Sequence, residues 1–145
     1  MRYFLFLIIL FLFSCAKPNY IGPTELTRTG NPTMAACPFY FQEERLCLSY
    51  SWNQFPSEES LGSFTMKFYA EENPNTYISP KLSPSVKLWM PSMGHGSSPV
   101  IIKIVSEGIY EVTDVYFTML GEWEIRFQLK NNDEVIEEKI QKITI

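Results

Sequence analysis

Trp123-Glu124-Ile125-Arg126-Phe127-Gln128-Leu129 alternates a large apolar side chain with a polar one along its whole length. Side chains on a strand point to opposite faces in turn, so this stretch predicts a half-buried strand with one wet face, as antiparallel sheets have. The same period runs through Leu46-Leu48-Tyr50-Trp52, Phe64-Met66-Phe68 and Val86-Leu88-Met90. Pro99 to Val105 is more continuously apolar, Ile109 to Phe117 is aromatic and β-branched, and Val135 to Ile145 carries an expected irregularity between Ile140 and Ile143. Glu107-Gly108, Leu120-Gly121 and Asn131-Asn132-Asp133 supply turns between them. Asn73 to Ser85, with three prolines, is expected to be a surface loop. No stretch has a sustained helical period with caps. About seven short strands at this spacing predict an all-β, antiparallel immunoglobulin-like β-sandwich over residues 37–145.

The residues ahead of that sandwich carry a different message. Met1-Arg2 is a minimal positive region, Tyr3 to Phe13 is uninterrupted apolar, and Ser14-Cys15 follows. That run is too short to span a membrane and has the form of a signal peptide over residues 1–14. Leu12-Phe13-Ser14-Cys15 resembles a bacterial lipobox, which makes Cys15 the expected lipidation site and mature N-terminus. Residues 15–36, with Pro18, Gly22, Pro23, Gly30 and Pro32 among polar residues, then form a flexible tether. The expected location is the cell envelope, lipid-anchored and facing the periplasm. Ala16 and Lys17 lack the aspartate that retains some lipoproteins at the inner membrane, which favours the outer one.

The formal net charge of the whole chain is −4, and removing residues 1–14 takes away Arg2 and no acid. An acidic chain without a basic cluster argues against nucleic acid as a partner and against electrostatic membrane binding. Cys37 and Cys47 are the only other cysteines, and in an oxidising compartment such a pair most simply forms one disulfide.

Trp89-Met90-Pro91-Ser92-Met93-Gly94-His95-Gly96 is the segment with chemistry in it, because it sets two thioethers and the only histidine between prolines and glycines. Soft sulfur and imidazole together are a copper(I) ligand set. Strand order adds a fourth residue. The strand ending near Met90 delivers this loop to one end of the sandwich, Pro99 to Val105 runs away from it, and Ile109 to Phe117 runs back, so Thr118-Met119-Leu120-Gly121 should return to that end. Met90, Met93, His95 and Met119 are therefore the candidate metal ligands, with Trp89 and Trp123 beside the loops as candidate shields. Met34 lies in the tether and Met66 on the apolar face of a strand, as methionine often does when it fills a core. An enzyme would need a nucleophile near His95, and Ser97 or Ser98 with Asp114 is the best set available. No nucleophile elbow and no Cys-x-x-Cys is present, and no enzymatic activity is expected.

The run Leu88 to Val100, with Gly108-Ile109-Tyr110 and Val115 to Ile125, resembles the YtkA-like domain related to the FixH proteins. The resemblance spans roughly residues 63–130 and is strongest in Met-Pro-x-Met-x-His and Phe-x-Met-x-Gly-x-Trp. It implies an immunoglobulin-like sandwich outside the cytoplasm with a link to copper handling or to assembly of copper-containing respiratory oxidases. The FixH proteins have a membrane helix where this chain has a lipid anchor. The expected function is a membrane-anchored lipoprotein that holds Cu(I) for copper delivery or buffering, with a copper-accepting or copper-donating envelope protein as partner. The alternative is a metal-free structural or protein-interaction lipoprotein of the envelope.

Overall fold

The alternating stretch that opens the reading becomes the central strand of one sheet in the computed structural model, which describes residues 37–145. The expected signal peptide, Cys15 and the tether lie outside the described residues. The strands are β1 Phe39–Phe41, β2 Leu46–Gln54, β3 Gly62–Ala70, β4 Asn73–Tyr77, β5 Ser83–Met90, β6 His95–Gly96, β7 Ile101–Ser106, β8 Ile109–Val115, β9 Glu122–Asn131 and β10 Glu134–Thr144. All pairings are antiparallel.

One sheet has the order β1-β2-β3-β8-β7, with β4 added on β3, and the other has the order β10-β9-β5-β6. Leaving aside the short strands β1, β4 and β6, the chain order reads as A-B-E-D in one sheet and G-F-C in the other. That is the immunoglobulin Greek key, and its seven strands are the seven expected from the alternation.

The two inner faces meet in a core of Phe64, Met66, Phe68, Leu88, Tyr110, Val112, Trp123, Ile125, Phe127 and Leu129, all buried. Phe127 gathers aromatic neighbours from the opposite sheet, with ring centroids 5.2 Å from Phe39, 5.2 Å from Tyr50 and 6.2 Å from Phe64. Pairs of this kind contribute about 0.5–1.5 kcal/mol each beyond the area they bury. Cys37 and Cys47 form a disulfide, Cα atoms 5.2 Å apart, which pins the lead into β1 onto β2.

Two local expectations are corrected. Residues 73–85 are not one surface loop: 73–77 form β4 and Ser83 begins β5. Proline is tolerated in a strand that has a neighbour on one side only. Pro74 is in β4, which pairs only with β3, and Pro84 lies where β5 pairs only with β9. The irregularity in the last strand falls between Val135 and Glu137 and not between Ile140 and Ile143. Ile140 stands opposite Arg126 on the outer face and Ile143 opposite Trp123 on the inner one, so these isoleucines belong to different faces and need no bulge between them.

The sandwich has two unlike ends. The turn end carries residues 42–45, 71–72, 107–108 and 132–133, and the crossing segment 78–82. Here Glu44 accepts a hydrogen bond from the Leu82 amide (2.8 Å), and Glu137 accepts from the amides of Gln42 (2.9 Å) and Glu43 (3.1 Å). The loop end carries residues 55–61, 91–94, 97–100 and 116–121. There the Ser97 hydroxyl donates to the Tyr116 carbonyl, the Ile145 amide donates to the Gly121 carbonyl (3.0 Å), and the Gly121 amide donates to a carboxylate oxygen of Ile145 (3.0 Å).

Candidate metal centre

At the loop end, β5 turns its even-numbered residues inward, and Val86, Leu88 and Met90 are all buried. Four residues, Pro91 to Gly94, then reverse the chain. The amides of Met93 (3.2 Å) and Gly94 (3.0 Å) both donate to the Met90 carbonyl, and Gly94 takes φ 65°, which glycine adopts without a side-chain penalty. The turn sets His95 directly opposite Met90 in the β5–β6 ladder. Directly opposed residues share a face of the sheet, with Cβ atoms about 4.5–5.5 Å apart. The imidazole and the thioether therefore leave the backbone side by side. His95 Nδ1 lies 3.2 Å from the Gly96 carbonyl. With a proton on Nδ1 donated to that oxygen, Nε2 keeps its lone pair.

The second loop meets this pair from the other sheet's side. Phe117 packs its ring 5.3 Å from that of Trp123, and the Trp123 indole N–H donates to the Met119 carbonyl (3.0 Å). Gly121 follows with φ 137°. A Cβ on Gly121 would stand 2.5 Å from Cε of Met90, so the end of the Met90 side chain rests against the loop that carries Met119. Topology thus brings Met90, His95 and the Met119 loop to one end of the sandwich, with Met90 against that loop. Met93 sits at the hairpin tip. Exposure divides the four residues: Met90 is 5% exposed, His95 half-buried, Met119 38% and Met93 57%.

Trp123 keeps its expected place beside the loops, and Trp89 does not. Since Met90 points inward, its neighbour Trp89 must point outward. It lies on the outer face of the sheet with Lys87 Nζ 4.1 Å and Arg126 Cζ 5.4 Å from the ring centre. Gly121 is the residue that sequence reading missed as part of the site. Its role is a contact with a residue 31 positions earlier, which no local pattern signals.

The charge of this end is one-sided. Residues 53–62, 91–100 and 114–122 include Glu58, Glu59, Asp114 and Glu122, and contain no Lys or Arg. A bound cation would meet no fixed positive charge there. Among the described residues no three His, Cys, Asp or Glu side chains form a metal-ligating group, so a metal at this end would depend on methionine sulfur. Comparisons with family models, with curated proteins and with solved structures found no match.

Proposed function

We propose that this chain is a membrane-anchored envelope lipoprotein whose sandwich binds Cu(I) at the loop end, for delivery to or receipt from a partner protein. The observation that carries the reading is the opposition of Met90 and His95 across the hairpin, with the Met90 methyl against the Met119 loop. Thioether sulfur and neutral imidazole suit the soft monovalent ion, whereas the carboxylates nearby suit harder ones. In this reading the sulfurs of Met90, Met93 and Met119 and Nε2 of His95 are the ligands. Exposure sorts them by role. Met90, rooted in the core, is the fixed ligand, and Met93 on the tip is the one an incoming partner's donors would replace first. The resemblance to YtkA-like and FixH-related domains supports copper handling, and the lipobox at Cys15 supports anchoring from the periplasmic side.

A second reading has one observation in its favour. Met90 is buried among core residues, and methionine fills cores without binding anything. On that reading the chain is a metal-free interaction lipoprotein.

Titration with Cu(I) against a competing chelator separates the two. One ion per chain is expected, with sulfur detected around it by X-ray absorption. The triple variant Met90→Leu, Met93→Leu, Met119→Leu keeps volume and apolarity and should lose that binding. If the triple variant holds Cu(I) as tightly as the parent, the methionines are core and the copper reading is wrong.

A further inference from the structure

The turn end holds a cavity walled by charges of both signs. Its volume is about 310 Å³, and it is lined by Tyr40, Arg45, Ala70, Glu71 and Glu72. Neighbouring strands of the larger sheet bring these residues together. Tyr40 is the middle residue of β1, Arg45 immediately precedes β2, Ala70 ends β3, and Glu71 and Glu72 form the turn into β4. Leu46 stands opposite Ala70 in the β2–β3 ladder, so Arg45 and Glu71 are the first residues beyond it, one on each strand. The methionines and His95 are at the other end of the sandwich, and the cavity is independent of copper.

Arg45 is set there against its own backbone preference. Its φ is 54°, in the left-handed region that glycine enters freely and a residue with a Cβ does not. The turn is closed by its backbone amide, which donates to the Gln42 carbonyl (3.3 Å) and needs no particular side chain. The fold makes no use of the guanidinium either. Among the described residues the ion pairs are those of Arg126 with Glu124 and Glu138 and of Lys139 with Glu137. Glu71 and Glu72 thus line the same cavity as Arg45 without pairing with it. Strained residues persist where the side chain has a task, ligand clamps among them.

The charges define what fits. A plain anion would be drawn to Arg45 and repelled by the two carboxylates, and a plain cation would meet the reverse. A small molecule that carries both charges satisfies both walls at once. We propose that this cavity binds a free α-amino acid as its zwitterion. The ligand's carboxylate lies on the guanidinium fork of Arg45, which matches a carboxylate with two parallel hydrogen bonds. Its ammonium lies on Glu71 and Glu72, and its side chain against the Tyr40 ring. The volume is at the lower end of the roughly 300–1,000 Å³ of small-molecule sites. Arg45, Glu71 and Glu72 are exposed, and a single ion pair in water contributes little. Binding is therefore weak and needs both charges of the ligand together.

The test titrates the isotope-labelled full chain, in detergent micelles, with L-leucine, N-acetyl-L-leucine and L-leucinamide. The amide signals of Arg45, Glu71 and Glu72 are the readout. L-leucine should move all three saturably at millimolar concentrations. The acetyl compound lacks the ammonium and the amide lacks the carboxylate, so each gives up charged hydrogen bonds and should bind at least about tenfold more weakly. Arg45→Gly removes the guanidinium and relieves the backbone, so it should lose L-leucine binding without a fall in melting temperature. Glu71→Gln with Glu72→Gln, both on exposed turn residues, should lose it too. Absence of saturable shifts with L-leucine, equal binding of the three compounds, or binding unchanged in Arg45→Gly overturns the proposal.

Discussion

The two ends of the sandwich are fastened by different chemistry. At the turn end, carboxylates hold backbone amides: Glu137 takes those of Gln42 and Glu43, and Glu44 takes that of Leu82. At the loop end the side-chain ties are neutral: Ser97 to Tyr116, the Trp123 indole to Met119, and the Met90 methyl against Gly121. An ionised carboxylate accepts amide hydrogen bonds more strongly than its protonated form does, and a neutral tie has no such dependence. The side-chain ties at the end that holds the methionines and histidine therefore include no carboxylate for acid to protonate, unlike those at the other end.

The largest test of this contrast is on the turn-end side. Cys37→Ser with Cys47→Ser removes a link between residues ten apart in sequence, and a loop that short contributes about 2–3 kcal/mol. The melting temperature should fall while Cu(I) binding per folded molecule stays unchanged. Loss of copper binding in the folded variant would mean the ends are not separable.

Gly121→Ala is the matching change at the loop end. The Met90 methyl is the tip of a flexible chain and can move from the new Cβ, but φ 137° remains costly for alanine, by about 1–3 kcal/mol. Chemical denaturation reads that cost. Because Met90 must turn away, Cu(I) affinity should fall as well, which the disulfide variant does not share.

Acid sharpens the contrast further. Burial opposes ionisation of Glu137, but the amides of Gln42 and Glu43 and the Lys139 ammonium outweigh it and hold its carboxyl below the ordinary range. A carboxylate lowered in this way stabilises the fold fully above its unfolded pKa, and that contribution is lost as pH falls through the folded one. Glu137→Gln should therefore be less stable than the parent near neutrality, by about 1 kcal/mol, and the two should converge in acid. Amide exchange should show Gln42 and Glu43 losing protection before Met93 and Gly94, whose amides donate to the Met90 carbonyl. The reverse order would break the comparison.

The smallest effect on stability belongs to Met93→Leu. At 57% exposure this change should move stability by less than about 0.5 kcal/mol and yet weaken Cu(I) binding. In the parent, copper at a hundred times its dissociation constant should add about 2.7 kcal/mol, with the added exchange protection confined to the loop end.

The strands were legible because one face of each sheet is wet, and alternation survives wherever that holds, as in Trp123 to Leu129 or Phe64 to Phe68. β1, β4 and β6 are not, since strands of two or three residues have no period and Pro74 masks β4. The strand runs regularly from Ile140 to Ile143 because Ile140 faces solvent beside Arg126 while Ile143 faces the core opposite Trp123. Met119 could be placed by following strand direction. The opposition of Met90 and His95 depends on a turn of four residues, a length that residue types alone do not fix. Strand alternation turns Trp89 away from the loops' inner side: if Met90 is inward, its neighbour is not.

Trp123 gives the loop end an optical reporter of its own. Its indole is fully buried and its N–H is committed to the Met119 carbonyl, while Trp52, packed against Phe55 and Phe64, and Trp89, on the outer face, are half-exposed. Its fluorescence should emit to the blue of the other two. Any ion drawn to the Met119 sulfur strains the same loop that holds the indole, so a Trp52→Phe, Trp89→Phe chain would register loading as a change in a single emission band, without a label.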